Sequence, residues 1–340
     1  MAEAAALTFL QDTGRCRWAG LGCCGTKEGI PMGDTTAGPV MRRRRIRLMG
    51  AAVLVGLMVG GVGGVAGAGP EGAQERMVVL PGGDVHVVAE GEAKDDAVVL
   101  VHGLGGSTGW WDPVMPALRG KYVVRIDLLG HGGSAKPEDG YSIGAQGDRV
   151  GEVLDRLGVR RAVVFGHSTG GYVATSLAER RPGLVAALGL IDSGPRLDAF
   201  TDNGPAGELL LHPAIGQPLW PLLPDAVLRY SMSSALTRDV PIPDQLVADF
   251  KGMTYRSLTA TSNASDEYLR DRVEPDRLVD LALPTMVIYG VQDKRWPAAS
   301  FEEYRRVPNV RLESLDCGHT PMLEDPSPTG TLIRDFAEHH

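Results

Sequence analysis

Cysteine is scarce in this chain and poorly placed for disulfides. The 340 residues hold four, and Cys16, Cys23 and Cys24 all fall near the N-terminus. Residues 69–340 keep one, Cys317, which excludes an intramolecular disulfide there and leaves stability to the core. Basic residues are outnumbered, 34 against 42 acidic, for a formal net charge of −8. That balance excludes a general nucleic-acid binder, which needs a basic surface. The chain has no P-loop, no H-E-x-x-H and no histidines and cysteines at zinc spacing, so neither a metal nor an organic cofactor is expected. Residues 69–340 also lack internal repeats and low-complexity blocks. What is present is ordinary globular material. With 43% hydrophobic and 22% charged residues there is enough for a sizeable core, as one large domain or two average ones.

Positive charge is concentrated at one place. Arg42-Arg43-Arg44-Arg45-Ile46-Arg47 precedes an uncharged, glycine-rich apolar stretch from Leu48 to Ala68, ending in Ala66-Gly67-Ala68. A basic start, an apolar middle and an A-x-A end describe a secretory signal peptide over 41–68. Retained, the same stretch is long enough to span a bilayer. The two readings place the protein either secreted or in the cell envelope, or anchored by one membrane pass through 48–68. Residues 1–40 show no periodicity and read as an N-terminal extension of uncertain status, with Met32 and Met41 as alternative starts.

Residues 69–340 alternate strand-like and helix-like patches. Strand-like runs fall at Met77–Leu80, Val85–Ala89, Ala97–Val101, Tyr122–Ile126, Ala162–Phe165, Ala187–Ile191, Thr285–Tyr289 and Val310–Leu315. Helical patterns fall at 143–157, 170–181, 298–306 and 328–338. The alternation predicts an α/β fold: a mostly parallel central sheet with helices on both faces. Between Asp192 and Pro284 no strand-like run occurs. A structureless loop that long is improbable, so a helical cap, inserted at about 196–280, is expected over the sheet.

Gly166-His167-Ser168-Thr169-Gly170 follows an apolar run and opens a helical pattern, the context in which G-x-S-x-G presents a nucleophilic serine on a sharp turn. A serine nucleophile needs a base, and the base an orienting acid. Asp293 and His319 each lie just past a strand-like run, on the sheet edge where such folds bind ligands. Asp192 competes for the acid role; Asp293 is preferred because its strand immediately precedes the histidine strand. His102-Gly103-Leu104-Gly105-Gly106 can turn backbone N–H groups toward an oxyanion, with Leu104 and Thr169 as donors; His102 is read as shaping the turn. Trp110 and Trp111 are candidates for the substrate pocket or for core. Gly130-His131-Gly132-Gly133-Ser134-Ala135 mimics a dinucleotide fingerprint, but Pro137 and Gly140 deny it the helix it requires.

With His102-Gly103, Asp127 to Ser134, Gly166 to Gly171, Asp293 and Gly318-His319 in place, residues of about 75–338 resemble the α/β-hydrolase superfamily. The resemblance implies a Ser168–His319–Asp293 triad. A Ser nucleophile disfavours the haloalkane dehalogenases and epoxide hydrolases, which use Asp. The expected activity is that of an exported serine hydrolase cleaving a small, fairly apolar ester or related acyl compound. Acyl transfer, lactone opening, carbon–carbon bond hydrolysis and non-catalytic ligand binding remain alternatives on the same fold. The expected partner is a small-molecule substrate, and the oligomeric state is open.

Overall fold

A computed structural model describes residues 72–340; the expected N-terminal extension and the leader at 41–68 lie outside the described residues. The strands are β1 (Gln74–Val78), β2 (Val85–Glu90), β3 (Asp96–Val101), β4 (Val123–Ile126), β5 (Arg161–His167), β6 (Val185–Ile191), β7 (Thr285–Gly290) and β8 (Arg311–Leu315). They form one sheet in the order β1-β2-β4-β3-β5-β6-β7-β8. β2 pairs antiparallel with β1 and β4, and every other pairing is parallel. The apolar runs of β3 to β6 fill this parallel core because both faces of the sheet are covered. β1 departs from the expected Met77–Leu80. It pairs from Gln74 opposite Ala89 to Val78 opposite Val85, and only Val78 of the strand is buried. An edge strand is held by its backbone and needs no apolar run, which is why hydrophobicity misplaced it.

Helix α1 (Ile143–Leu157) has the expected limits. The Ser142 side chain accepts the Ala145 N–H at 3.2 Å, and Gly158 ends the helix in the left-handed conformation. Helix α2 (Thr169–Arg180) follows β5 and is buried along most of its length. The two longer 3-10 helices are Ala298–Arg306 and Thr108–Leu118, and the second contains Pro113 and Pro116 and so does not form a regular α-helix.

Between β6 and β7 the chain is helical, as expected: α3 (Gly204–Leu211), α4 (Pro213–Leu219), α5 (Asp225–Ser233), α6 (Asp244–Lys251), α7 (Tyr255–Asp271) and α8 (Glu274–Leu281). Trp220, Leu228, Leu246 and Phe250 of this insertion join the same buried cluster as Leu100, Trp111 and Phe165. A second cluster on the other face contains Val150, Leu154, Val173 and Leu177 of α1 and α2. α9 (Pro321–Glu324) and α10 (Pro326–His339) complete the chain. Among the described residues no helix is long and apolar enough to cross a membrane.

Candidate active site

Ser168 sits between β5 and α2 with φ 51° and ψ −121°, a strained conformation for a residue with a side chain. A Cβ on Gly166 would overlap the Gly170 carbonyl, and one on Gly170 would overlap the Val101 carbonyl of β3. Only glycines let strand, turn and helix approach so closely. The turn is tied to β6: Ser168 N–H donates to Ile191 O at 2.8 Å, and Ser193 Oγ donates to Ser168 O at 2.9 Å.

Asp293 follows β7 and His319 follows β8. His319 Nδ1 and Asp293 Oδ2 are 2.8 Å apart, and Asp293 Oδ1 accepts the Arg295 N–H at 2.7 Å. With Nδ1 carrying the shared proton, Nε2 is left as the free acceptor of the ring. Burial opposes charge on Asp293, but the His319 charge and hydrogen bond, with help from the Arg295 N–H, hold its carboxyl below the usual range. Ser168 and His319 line one cavity, without a hydrogen bond joining their side chains in this conformation.

Asp192, the rival acid, is fully buried at the end of β6. Its Oδ1 accepts the Gly290 N–H at 2.9 Å and its Oδ2 has no partner. Ligand atoms of Asp192, Asp293 and His319 lie within 4.8 Å of one another. Burial and the Asp293 charge push the Asp192 carboxyl well above its ordinary range, so it is the neutral member of the pair. The trio has three atoms at metal-like spacing, but Asp293 and His319 already satisfy each other and Asp192 holds its proton.

Both expected oxyanion donors stand beside Ser168 in the cavity wall. Thr169 is the first residue of α2, so its N–H has no intrahelical partner. Leu104 lies in the turn after β3, and among the described residues its N–H takes no partner. His102 does shape this turn. Its Nε2 accepts the Leu128 N–H at 3.0 Å and its Nδ1 lies 2.8 Å from Gly103 O. Asp127 likewise holds the Gly-rich turn, accepting N–H groups from Thr108 at 2.6 Å and Gly133 at 2.8 Å. The next helix is α1, well past that turn, so the dinucleotide-like pattern stays a turn.

The two tryptophans separate. Trp110 lines the cavity and stacks on His167 at 6.1 Å between ring centroids. Trp111 takes the core alternative: it is 0% exposed and is absent from the cavity wall, whereas Trp110, in the same buried cluster, also borders the cavity. Successive residues of a helical turn point to different sides, so one indole borders the cavity and the other does not.

Residues 96–326 match the family described as alpha/beta hydrolase fold. The chain belongs to that family. A candidate 2-succinyl-6-hydroxy-2,4-cyclohexadiene-1-carboxylate synthase of Bacillus subtilis (strain 168) is 28% identical over 264 residues, covering 74% of this chain and 93% of the relative. A solved bacterial membrane phospholipase A is 27% identical with a TM-score of 0.62, covering 79% of this chain and 86% of its own. The enol-lactonase of Burkholderia xenovorans LB400 shares the fold with a TM-score of 0.64 at 20% identity, covering 77% and 100%.

Several features of this alpha/beta hydrolase were not singled out in the sequence. His167 Nε2 donates to the His319 carbonyl at 2.8 Å, and burial together with the His319 charge pushes its pKa down to about 3, so it is neutral. Glu324 Oε2 accepts N–H groups from Gly318 at 3.1 Å, Thr237 at 2.8 Å and Arg238 at 3.0 Å, which ties the histidine loop to the insertion. Thr169 Oγ1 and Ser265 Oγ of α7 are 3.0 Å apart. The cavity, about 220 Å³, is walled by apolar side chains including Leu104, Phe200, Leu210, Phe250, Leu258 and Trp296. Arg295 and Asp266 also line it. No local pattern marks Glu324, Arg295 or Asp266, because their roles depend on chain segments far away in sequence.

Proposed function

We propose that this alpha/beta hydrolase is a serine hydrolase that cleaves a small, fairly apolar ester or related acyl compound. The observation that carries the reading is the His319–Asp293 pair, at 2.8 Å, opening on the cavity that also holds the strained Ser168 turn. His319 Nε2 takes the proton from Ser168 as its Oγ attacks the acyl carbon. Asp293 fixes the imidazole tautomer and stabilises the imidazolium. The N–H groups of Leu104 and Thr169 receive the oxyanion, where the start of α2 adds favourable potential. His319 then returns the proton to the leaving group. In the second half it activates water, which releases the acid from the acyl-enzyme.

The apolar wall supports an apolar acyl or alcohol portion, and the cavity volume supports a small one. The test is hydrolysis of short-chain 4-nitrophenyl esters by the protein and by Ser168→Ala. Loss of kcat by roughly four or more orders of magnitude in a folded variant is expected. An unchanged rate sinks the serine mechanism. Export is proposed from the Arg42–Ala68 pattern alone, and N-terminal sequencing of the protein from its native source tests it. Cleavage near residue 68 is expected, and an intact stretch at 48–68 would establish an anchor.

A further inference from the structure

We propose that Arg295 is an anion-recognition residue of the cavity and that the substrate carries a carboxylate beside its reacting acyl group. This deepens the hydrolase reading and rests on it. Arg295 lies two residues after Asp293, in the loop that leaves β7, and its backbone N–H is bonded to the Asp293 carboxylate. The Arg295 backbone is therefore anchored to the Asp293–His319 pair. Arg295 lines the cavity and is only partly exposed.

Its hydrogen bonds are unusual for a sheltered arginine. Nη1 donates to Asp202 O at 2.9 Å and Nη2 to Ser234 Oγ at 2.9 Å. Both acceptors are neutral. A guanidinium has five N–H groups in a planar fork, so three donors remain. Among the described residues no carboxylate pairs with it. The two buried arginines behave differently. Arg125 pairs with Glu90 and Asp112, and Arg277 with Glu179 and Asp271. Burial lowers the pKa of Arg295, with Asp293, Asp202 and Glu208 offsetting this from a distance. A half-buried cation with no ion-pair partner, set in a cavity wall rich in apolar side chains, favours a ligand that supplies the anion. A carboxylate matches the fork geometry of the free donors. Asp266, the one carboxyl among the wall residues, belongs to α7 and makes no ion pair with Arg295. Its carboxyl is raised above the ordinary range, mainly by burial, which weakens its charge and so its repulsion of an anion held at Arg295.

Two ester pairs that differ only in charge test this. One is mono(4-nitrophenyl) glutarate against its methyl ester, with the charge on the acyl side. The other is 4-acetoxybenzoate against its methyl ester, with the charge on the leaving side. In at least one pair the anionic member should have the higher kcat/KM, and Arg295→Met should cut the anionic-to-neutral ratio roughly 10- to 100-fold. Arg295→Lys should retain part of the ratio. A preference for the neutral member in both pairs overturns the proposal. So does a ratio that survives Arg295→Met while both rates fall together, which would make Arg295 a brace for the Asp202 and Ser234 segments. Calorimetry of 4-acetoxybenzoate with Ser168→Ala separates recognition from turnover. Binding lost in Ser168→Ala/Arg295→Met supports the anion site even if no ester is hydrolysed, a result that would count against the hydrolase reading alone. Absence of binding in Ser168→Ala overturns the anion site.

Discussion

Asp192 and Asp293 end adjacent parallel strands and place their carboxyl groups, with the His319 imidazole, inside a 4.8 Å cluster. Two carboxylates that close in a dry site do not both ionise. Asp293 has the imidazole and a backbone N–H to favour its charge, whereas Asp192 has one N–H and full burial. The charge therefore resides on Asp293. Asp293→Ala should lower kcat by about two to four orders of magnitude. Asp192→Asn keeps a neutral group that can accept the Gly290 N–H and donate to Asp293, and its kcat should stay within about tenfold of the parent. Steady-state kinetics on both variants decide the matter, and a larger loss in Asp192→Asn than in Asp293→Ala would reverse the two roles.

Glu324 holds the loop before α9 by accepting N–H groups from both sides of His319 and from the insertion. Glu324→Ala leaves those donors buried and unpaired. A loss of about 2–4 kcal/mol in urea unfolding is expected, together with at least about tenfold in kcat as His319 loses its fixed position. Full activity with unchanged stability would show that the loop is held by other contacts.

Glu274, fully buried at the start of α8, is pushed up to about 8 by burial, while Thr175 donates a hydrogen bond to it. Its folded pKa lies above its unfolded value, so its stabilising contribution is complete below about 4.5 and is lost as pH rises through about 8. The loss amounts to at most about 1.4 kcal/mol per pH unit. Glu274→Gln does not titrate. Relative to the parent it should gain stability between pH 5 and pH 9, and parallel stability curves would contradict this.

His131 and His167 are both fully buried and pushed down to about 3, each mainly by burial. Their folded pKa values lie below the unfolded 6.5, so the stability they contribute is present above that pH. It is lost as pH falls toward about 3. Neither ring should titrate by NMR between pH 8 and 5, and the melting temperature should fall over the acid side of that window. A titration midpoint near 6.5 for either ring would show it to be solvated.

The sheet was legible because β3 to β6 are buried on both faces and must be written as apolar runs. The same holds for α1, whose Ser142 and Gly158 caps mark its ends. Ser168, Asp293 and His319 each follow a strand, so the sequence alone could place the three candidates at one edge of the sheet. β1 was misplaced because an edge strand leaves no hydrophobic signature. Trp110 and Trp111 are adjacent and chemically alike, so only the geometry of the 3-10 turn tells pocket from core. Glu324 and Arg295 act on segments about 86 and 61 residues away in the chain. Their neighbours in sequence give no hint of it.

The most direct measurement is labelling with a fluorophosphonate probe, mapped by peptide mass spectrometry on the parent, Ser168→Ala and His319→Ala. One adduct on Ser168, absent from both variants, is expected if His319 activates that hydroxyl from its Asp293-bound position. No adduct on the folded parent, or an adduct on Ser168 that persists in His319→Ala, would contradict a serine nucleophile activated by this histidine.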